Sequence, residues 1–560
     1  MTQTVADQTI AALDAAGIDR LYCLPGVQND HFFDALYDHR QRITPVVARH
    51  EQGAAYMALG AALATGRPQA FCVVPGPGFL NATAALATAQ SLNAPVLAII
   101  GQIPSPAIGK GTGQLHEIPD QFAILRQLTR AAWQIQGTNA AEILSLAVGA
   151  LQSGPPGPIG IEIPADCWRK PAVGVLAPTR TRPPAAKPGP LAAAAEAIRT
   201  AKRPIIVVGS GAAACRGEVQ TLAERIGAPV VGFRTGRGTL PDSHPLAASL
   251  PQAHALWPET DLVIGLGSRL EFTLGQWGRD DAMTVIRIEI DPARLAAIPA
   301  DIAVEADLAQ ALPALLAALD AALDATRDAE PGAEPGAESD ASTGPRPDWQ
   351  ARIAQTRARA AQQMAERLAP QLAWLEALRA AIPEQGILIN ELTQVGYVAN
   401  IAYPVSRPRA LISPGYQGTL GWGIATGLGA ADALRDVPVV AISGDGGALF
   451  TIGELATAAR YDIPLVTIVF NDNAFGNVRR FQEDLYGGRT IATDLASPDF
   501  VALAKSFGLA GDRADTPDAL GRCISDALAA RRPTVIEVPV GTFPSPWSFV
   551  LMPKCRGMPP

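Results

Sequence analysis

Two acidic residues 27 positions apart constrain this chain more than any other feature. Asp445 follows the apolar run VVAISG, and Asp472 ends the stretch PLVTIVFND. Each run has the length and the β-branched content of a buried strand, and LFTIGELATAARY between them has helical spacing. A strand, a helix and a second strand of this length make one crossover, so both acids fall at carboxyl ends of parallel strands, where open α/β sheets bind ligands. Gly444, Gly446 and Gly447 around the first acid let backbone N–H groups approach phosphate oxygens closely. Behind the second acid stand Ala474, Phe475 and Gly476. Asp445 and Asp472 offer side-chain oxygens, and Ala474 a backbone carbonyl, to a hard divalent ion such as Mg²⁺ that bridges to a diphosphate.

The rest of the 560 residues repeats this alternation. Residues 1–168 contain strand-like runs at Arg20–Leu24, Ala70–Val74, Val96–Ile100 and Ile159–Pro164. A Pro- and Arg-rich linker follows at 171–190. A second unit, 190–322, has runs at Pro204–Val208, Ala228–Gly232, Asp261–Gly265 and Val285–Ile290. Residues 323–350 are rich in Ala, Glu, Pro and Gly and poor in large apolar groups, the composition of a flexible linker. A third unit, 365–545, has runs at Gly386–Asn390, Val439–Ser443, Pro464–Asn471 and Thr534–Pro539. The apolar first half of the tail 546–560 is expected to pack on the body. The fold class is α/β, with three doubly wound parallel-sheet domains.

Composition excludes several functions. A net charge of −8 argues against nucleic acid and anionic membrane surfaces as partners. No apolar run is long enough to span a bilayer. The six cysteines include no CxxC pair, so neither a zinc site nor a redox pair is expected. The N-terminus lacks the basic start and apolar core of a signal peptide, which points to the cytoplasm.

GDG followed about one crossover later by an Asn-rich turn is similar to the thiamine diphosphate motif. Apart from 324–348, the chain resembles along nearly its whole length the superfamily of acetolactate synthase, benzoylformate decarboxylase and benzaldehyde lyase. The resemblance implies a pyrimidine-binding, a central and a pyrophosphate-binding domain, with thiamine diphosphate and Mg²⁺ as cofactors. One departure is Asp472, where the family usually has Asn as ligand. The segment RHEQGAA resembles the one whose glutamate touches the aminopyrimidine ring, so Glu51 is expected to promote the tautomer that generates the ylide. In the family that glutamate and the diphosphate site come from different subunits, which implies a homodimer or homotetramer.

Further positions follow from the same resemblance. Pro25, in LPGVQN, is of the synthase type, and Gln28 beside it is expected to face substrate. Gly76 and Asn81 match the turn beneath the cofactor. Gln102 matches a synthase glutamine near the reacting carbonyl, and His116 lies in a loop that reaches toward substrate in relatives. Thr393 and Gln394 resemble a diphosphate-binding pair. Gly418, Thr419 and Leu420 resemble the turn whose carbonyl binds the exocyclic amine and whose apolar side chain holds the cofactor bent. Phe481 stands where synthases carry a Trp.

The expected reaction makes or breaks a C–C bond next to a carbonyl. The first reading is a decarboxylating carboligase of the acetolactate synthase kind, acting on 2-oxo acids, aldehydes or acyloins. The alternative is a non-ligating 2-oxo acid or acyl-CoA decarboxylase, or an acyloin lyase. The alternative draws on Gly267–Thr273, which keeps Arg269 but lacks the second arginine of the synthases. FAD stays open: Gly209-Ser210-Gly211 and Arg269 partly resemble a flavin site, but its LGMHG-like segment is missing.

Overall fold

The computed structural model describes residues 3–329 and 347–557. These residues form three six-stranded sheets flanked by helices. The first sheet contains β1 (Arg20–Cys23), β2 (Thr44–Val47), β3 (Gln69–Val73), β4 (Val96–Gln102), β5 (Ala131–Gln134) and β6 (Ile159–Pro164). The second contains β7 (Pro204–Val208), β8 (Val230–Gly232), β9 (Ala247–Ala248), β10 (Leu262–Leu266), β11 (Thr284–Glu289) and β12 (Ile302–Glu305). The third contains β13 (Ile387–Asn390), β14 (Leu411–Ile412), β15 (Val439–Gly444), β16 (Leu465–Asn471), β17 (Ala510–Arg513) and β18 (Thr534–Pro539). The first sheet runs β2-β1-β3-β4-β6-β5 and the third β14-β13-β15-β16-β18-β17, the same order. The second runs β12-β11-β10-β7-β8-β9. The strands pair in parallel, so each sheet has one edge of carboxyl ends, and those of the first and third carry the residues of interest.

The chain forms two compact units. One comprises 1–182, 377–396 and 412–542 and holds the first and third sheets. Within it the helices Glu51–Thr65 and Trp422–Ala433 pack together, and both are buried around most of their circumference. Their Ala- and Gly-rich sequences make this contact possible, since a helix apolar on all sides must be covered on all sides. A Cβ at Gly60 would overlap the Thr426 carbonyl, and one at Gly429 would overlap the Met57 carbonyl, so the two backbones touch. Near the end of the second helix the fully buried Asp432 accepts hydrogen bonds from Arg435 Nη2 at 2.6 Å and from the Tyr22 hydroxyl at 3.3 Å.

The other unit comprises 183–376, 397–411 and 543–560. Its core gathers Ile206, Ile264, Ile288, Leu312 and Trp349 around the second sheet. The tail packs on this unit through buried Phe549 and Met552. Arg556 anchors it by donating to the Trp257 carbonyl at 3.2 Å and to Asp280 at 2.8 Å.

The linker expected at 323–350 is corrected at both flanks. Helices Leu308–Ala329 and Pro347–Arg367 extend into it, and the latter also crosses the boundary set at 365. Trp349 explains the second flank, because its indole is buried and donates to the Pro204 carbonyl at 3.2 Å. Residues 330–346 of that linker lie outside the described residues. The linker at 171–190 likewise loses its end to the helix Pro188–Thr200. Among the described residues no helix is long and apolar enough to cross a membrane.

Candidate active site

The strand ends of the third sheet build the first half of the site. In the β15–β16 register Gly444 sits opposite Phe470, so Asp445 and Asp472 emerge from neighbouring strands. Asp445 opens the helix Asp445–Thr451 and is 1% exposed. Its Oδ2 accepts a hydrogen bond from Ser497 Oγ at 2.6 Å. Asp472 receives Gln394 Nε2 on Oδ2 at 2.7 Å and the Ala474 N–H on Oδ1 at 3.2 Å. Burial first, and then the charge of Asp445, push the Asp472 carboxyl up to about 6. Two carboxylates crowded at strand ends with few donors are a cation site in chemical character.

The segment behind the acids completes the donor set. Ala474 makes an antiparallel bridge with Asp494. That bridge uses the Phe475 N–H toward the Thr493 carbonyl and the Leu495 N–H toward the Asn473 carbonyl, so the Ala474 carbonyl stays outside it. Gly476 lies so close to Asp472 Oδ2 that any side chain there would displace the carboxylate. Among the described residues no three His, Cys, Asp or Glu side chains cluster in a way that would hold a metal ion. The two acids and the backbone carbonyl are oxygen donors, which suit a hard ion better than a soft one. Gly446 and Gly447 lie in the first turn of the Asp445–Thr451 helix, where N–H groups lack intrahelical partners and favour anions. Thr393 Oγ1 accepts from the Gly396 N–H at 2.9 Å, which leaves its hydroxyl proton to donate.

The first sheet builds the second half. Glu51 begins the helix Glu51–Thr65, capped by His50, whose Nδ1 accepts from the Gln52 N–H at 3.2 Å. Asn81 Nδ2 donates to Glu51 Oε2 at 3.0 Å, so Asn81 orients the glutamate. The turn ahead of Glu51 is held by Glu454, whose Oε1 accepts the N–H groups of Arg49 and His50, each at 3.0 Å. Gly76 has φ of +56°, and its α-carbon faces the His116 carbonyl. Gln28 donates Nε2 to the Leu115 carbonyl at 3.1 Å and so pins the His116 loop. Among the described residues, Gln28 Oε1 and His116 Nδ1 are buried without a hydrogen-bond partner. Thr419 Oγ1 lies 3.2 Å from Thr88 Oγ1, while Gly418 and Leu420 beside it are half-buried and Pro25 is exposed.

Gln102, at the end of β4, is held by protein partners at both ends of its amide. Its Nε2 donates to Glu162 at 3.0 Å and its Oε1 accepts the Ile103 N–H at 2.7 Å, so both ends of the amide are used inside the protein. Thus the structure groups Thr393, Gln394, Gly444–Gly447, Asp472 and Ala474–Gly476 at one sheet end, and Gln28, Glu51, Gly76, Asn81 and His116 around the ends of the other. Ser497, Glu391, Glu454 and Glu162 went unread. Each acts through a partner distant in sequence, and no local spacing announces such a pairing.

Comparison with known proteins adds to this geometry. The family models described as the N-terminal TPP binding, central and C-terminal TPP binding domains of thiamine pyrophosphate enzymes match residues 3–124, 191–315 and 392–538. A probable 2-ketoarginine decarboxylase of Pseudomonas aeruginosa is 31% identical over 551 residues, 96% of this chain and 94% of the relative. A probable acetolactate synthase large subunit of Methanocaldococcus jannaschii is 30% identical over 564 residues, 95% of this chain and 91% of the relative. The solved structure of a thiamine diphosphate-dependent 4-hydroxybenzoylformate decarboxylase from Rhodococcus jostii superposes with a TM-score of 0.79 at 23% identity, covering 97% of this chain and 100% of the other, and speaks to the fold alone. With its three α/β domains in matching order and its paired strand-end acids, the chain belongs to the thiamine pyrophosphate enzyme family.

Proposed function

We propose that this chain binds thiamine diphosphate with Mg²⁺ and releases CO₂ from a 2-oxo acid. The observation that carries this reading is the side-by-side placement of Asp445 and Asp472 at neighbouring strand ends, held by Ser497 and Gln394. Asp445, Asp472 and the Ala474 carbonyl would hold the metal ion. The N–H groups of Gly446 and Gly447, with Thr393 and Gln394, would hold the diphosphate. Gly418 and Leu420 would line the ring end, with Phe475 and Gly476 closing the turn. When bound, the coenzyme supplies an electron sink for the pair left behind as CO₂ departs.

The chain's own part is orientation and proton handling. Asn81 fixes one oxygen of Glu51, which leaves Oε1 to hold or release a proton toward the ring. Leu420 would hold the coenzyme bent, and the Phe475 ring, which lies against Gly446, would cover the strand-end turn. Gln28 Oε1 and His116 Nδ1 are available to meet polar groups of substrate. The resemblance implies that Glu51 of one copy serves the acids of another, in a homodimer or homotetramer. Exposed Leu80 (43%) beside Asn81 and exposed Phe450 (57%) in the Asp445–Thr451 helix support a covered face there.

Release of an aldehyde is favoured over ligation by the absent second arginine after Arg269. Ligation to a second carbonyl is the second reading, favoured by Pro25 and Leu420, which are of the synthase type. The test is to supply thiamine diphosphate, Mg²⁺ and a panel of 2-oxo acids and to measure CO₂, aldehyde and acyloin together. CO₂ with stoichiometric aldehyde supports release, and CO₂ with acyloin supports ligation. No CO₂ from any acid, in protein that binds the coenzyme, removes decarboxylation altogether.

A further inference from the structure

Glu391 is a carboxylate 1% exposed, between Asn390 at the end of β13 and the pair Thr393–Gln394. It accepts three hydrogen bonds from elsewhere in the chain. The Gly421 N–H donates to Oε1 at 2.7 Å, the Gly423 N–H to Oε2 at 3.0 Å, and Ser443 Oγ to Oε2 at 2.6 Å. Its own N–H is tied to the Ile442 carbonyl at 3.1 Å. Two glycines leave it room: a Cβ at Gly423 would come within 2.6 Å of Oε2, and one at Gly447 would overlap Oε1. One side chain therefore joins the 390–394 turn, the 418–423 turn and the 443–447 strand end, the segments that would grip the coenzyme.

The chemistry calls for a carboxylate. All three partners are donors, which an ionised acid meets with both oxygens and an amide meets with one. Gly421 and Gly423 lie at the N-terminus of the Trp422–Ala433 helix, whose dipole favours a negative charge. Burial raises the pKa of Glu391, and the three hydrogen bonds oppose that rise.

We infer that Glu391 is a positioning residue that pre-forms the coenzyme cradle by clamping these three segments, without touching substrate. The inference rests on the proposed use of thiamine diphosphate. Its consequence is that loss of the clamp weakens coenzyme binding while turnover at saturating coenzyme is kept, because the groups that act on substrate lie elsewhere.

The experiment is calorimetric titration of metal-loaded, coenzyme-free protein with thiamine diphosphate, for the natural chain, Glu391→Gln and Ser443→Ala, with thermal melts of each coenzyme-free protein. For Glu391→Gln the Kd is expected to rise roughly tenfold or more, the loss of a charge-assisted hydrogen bond, with kcat at saturation within about threefold of the natural chain. For Ser443→Ala, which removes one neutral donor, a rise of about two- to fivefold is expected. An unchanged Kd in folded Glu391→Gln overturns the inference. If that variant does not fold, an unchanged Kd in Ser443→Ala overturns it instead. A kcat that falls in step with affinity also overturns it, by placing Glu391 in the reaction. No heat from the natural chain sinks the proposed function itself, a different failure from equal binding by natural chain and variants.

Discussion

The first and third sheets share a strand order, and at one position they share a residue and part with its partners. β6 reads IGIEIP and β18 reads TVIEVP, with Glu162 and Glu537 in matching register and both buried. In each sheet the neighbouring long strand ends in an amide that donates to this glutamate: Gln102 to Glu162 at 3.0 Å, and Asn471 to Glu537 at 2.9 Å. In each sheet the edge strand offers a second donor directly opposite. There the likeness stops. The edge donor is the neutral Gln134 in the first sheet, at 2.6 Å, and the cationic Arg513 in the third, at 2.9 Å. Beyond the amide the third sheet continues into Asp472, and the first into apolar Ile103. One frame has thus been given two chemistries: charged groups gather at the third sheet, and a neutral amide network with one buried acid underlies the first.

The largest expected effect removes the charge that sets the third sheet apart. Asp445→Asn should lower coenzyme-dependent CO₂ release on the order of a thousandfold, and calorimetry should show loss of coenzyme uptake. Chelation of metal from the natural chain should reproduce the loss, and added Mg²⁺ should reverse it. If Asp445→Asn stays fully active, the third sheet's acids are not what distinguishes it.

Next is Glu51, the acid that the first sheet would bring to the coenzyme. Glu51→Gln should lower turnover roughly a hundredfold or more, the range for a lost proton-transfer group, with coenzyme still bound. Coexpressing Glu51→Gln and Asp445→Asn chains should restore part of the activity if one site draws on two copies. Absence of any recovery, in hybrids shown to form, would place both residues of each working site on a single chain.

What the sequence made legible follows the same division. Buried central strands announce themselves by apolar runs, and β6 was readable to the residue at Ile159–Pro164. Edge strands such as Thr44–Val47, Ala131–Gln134 and Ala510–Arg513 are short and half-exposed, and their mixed composition imitates a loop. Asp445 and Asp472 were readable because their chemistry is local: a strand, a glycine turn and an acid. Glu391, Glu454 and Glu162 were not, since each is defined by donors from distant segments. Gln102 shows the other limit, where a motif match gave a position but not which way the amide is used. Trp349, buried beyond a Pro- and Gly-rich stretch, ended the expected linker earlier than composition alone suggested.

Glu162 offers a smaller and pH-dependent effect. Burial, ahead of the three glutamine amides that oppose it, raises its pKa above the ordinary carboxylate value. Below that ordinary value the acid is protonated in both folded and unfolded chains. Between the ordinary and the raised value, the folded state holds a proton that the unfolded chain has released. Stability from this group therefore falls as pH rises through that interval and levels off above it. Glu162→Gln should remove this slope in denaturant melts across the interval. It should also cost about 1–3 kcal/mol at its acidic end, where displaced glutamine donors lose an acceptor.

The smallest expected effect turns the first sheet toward the third. Gln134→Arg places opposite Glu162 the guanidinium that Arg513 places opposite Glu537. Gln134 lies on the edge strand and is half-buried, so a longer side chain can carry its charge toward solvent while its stem covers the sheet. The new cation should favour ionised Glu162 and bring its pKa back toward the ordinary value, which flattens the pH slope without the loss seen in Glu162→Gln. Net stability at neutral pH should change by no more than about 1 kcal/mol, because the pair would be partly solvated. Denaturant melts at both ends of the interval decide it: a slope as steep as in the natural chain would mean that the edge residue does not set the difference between the two glutamates. The cause would then lie in the Gln121 amide, which reaches Glu162 at 2.8 Å while its oxygen holds the Gly76 N–H at 2.8 Å. That contact ties the protonation of Glu162 to the turn that would lie beneath the coenzyme, so in that case coenzyme affinity, and not stability alone, should follow pH across the same interval.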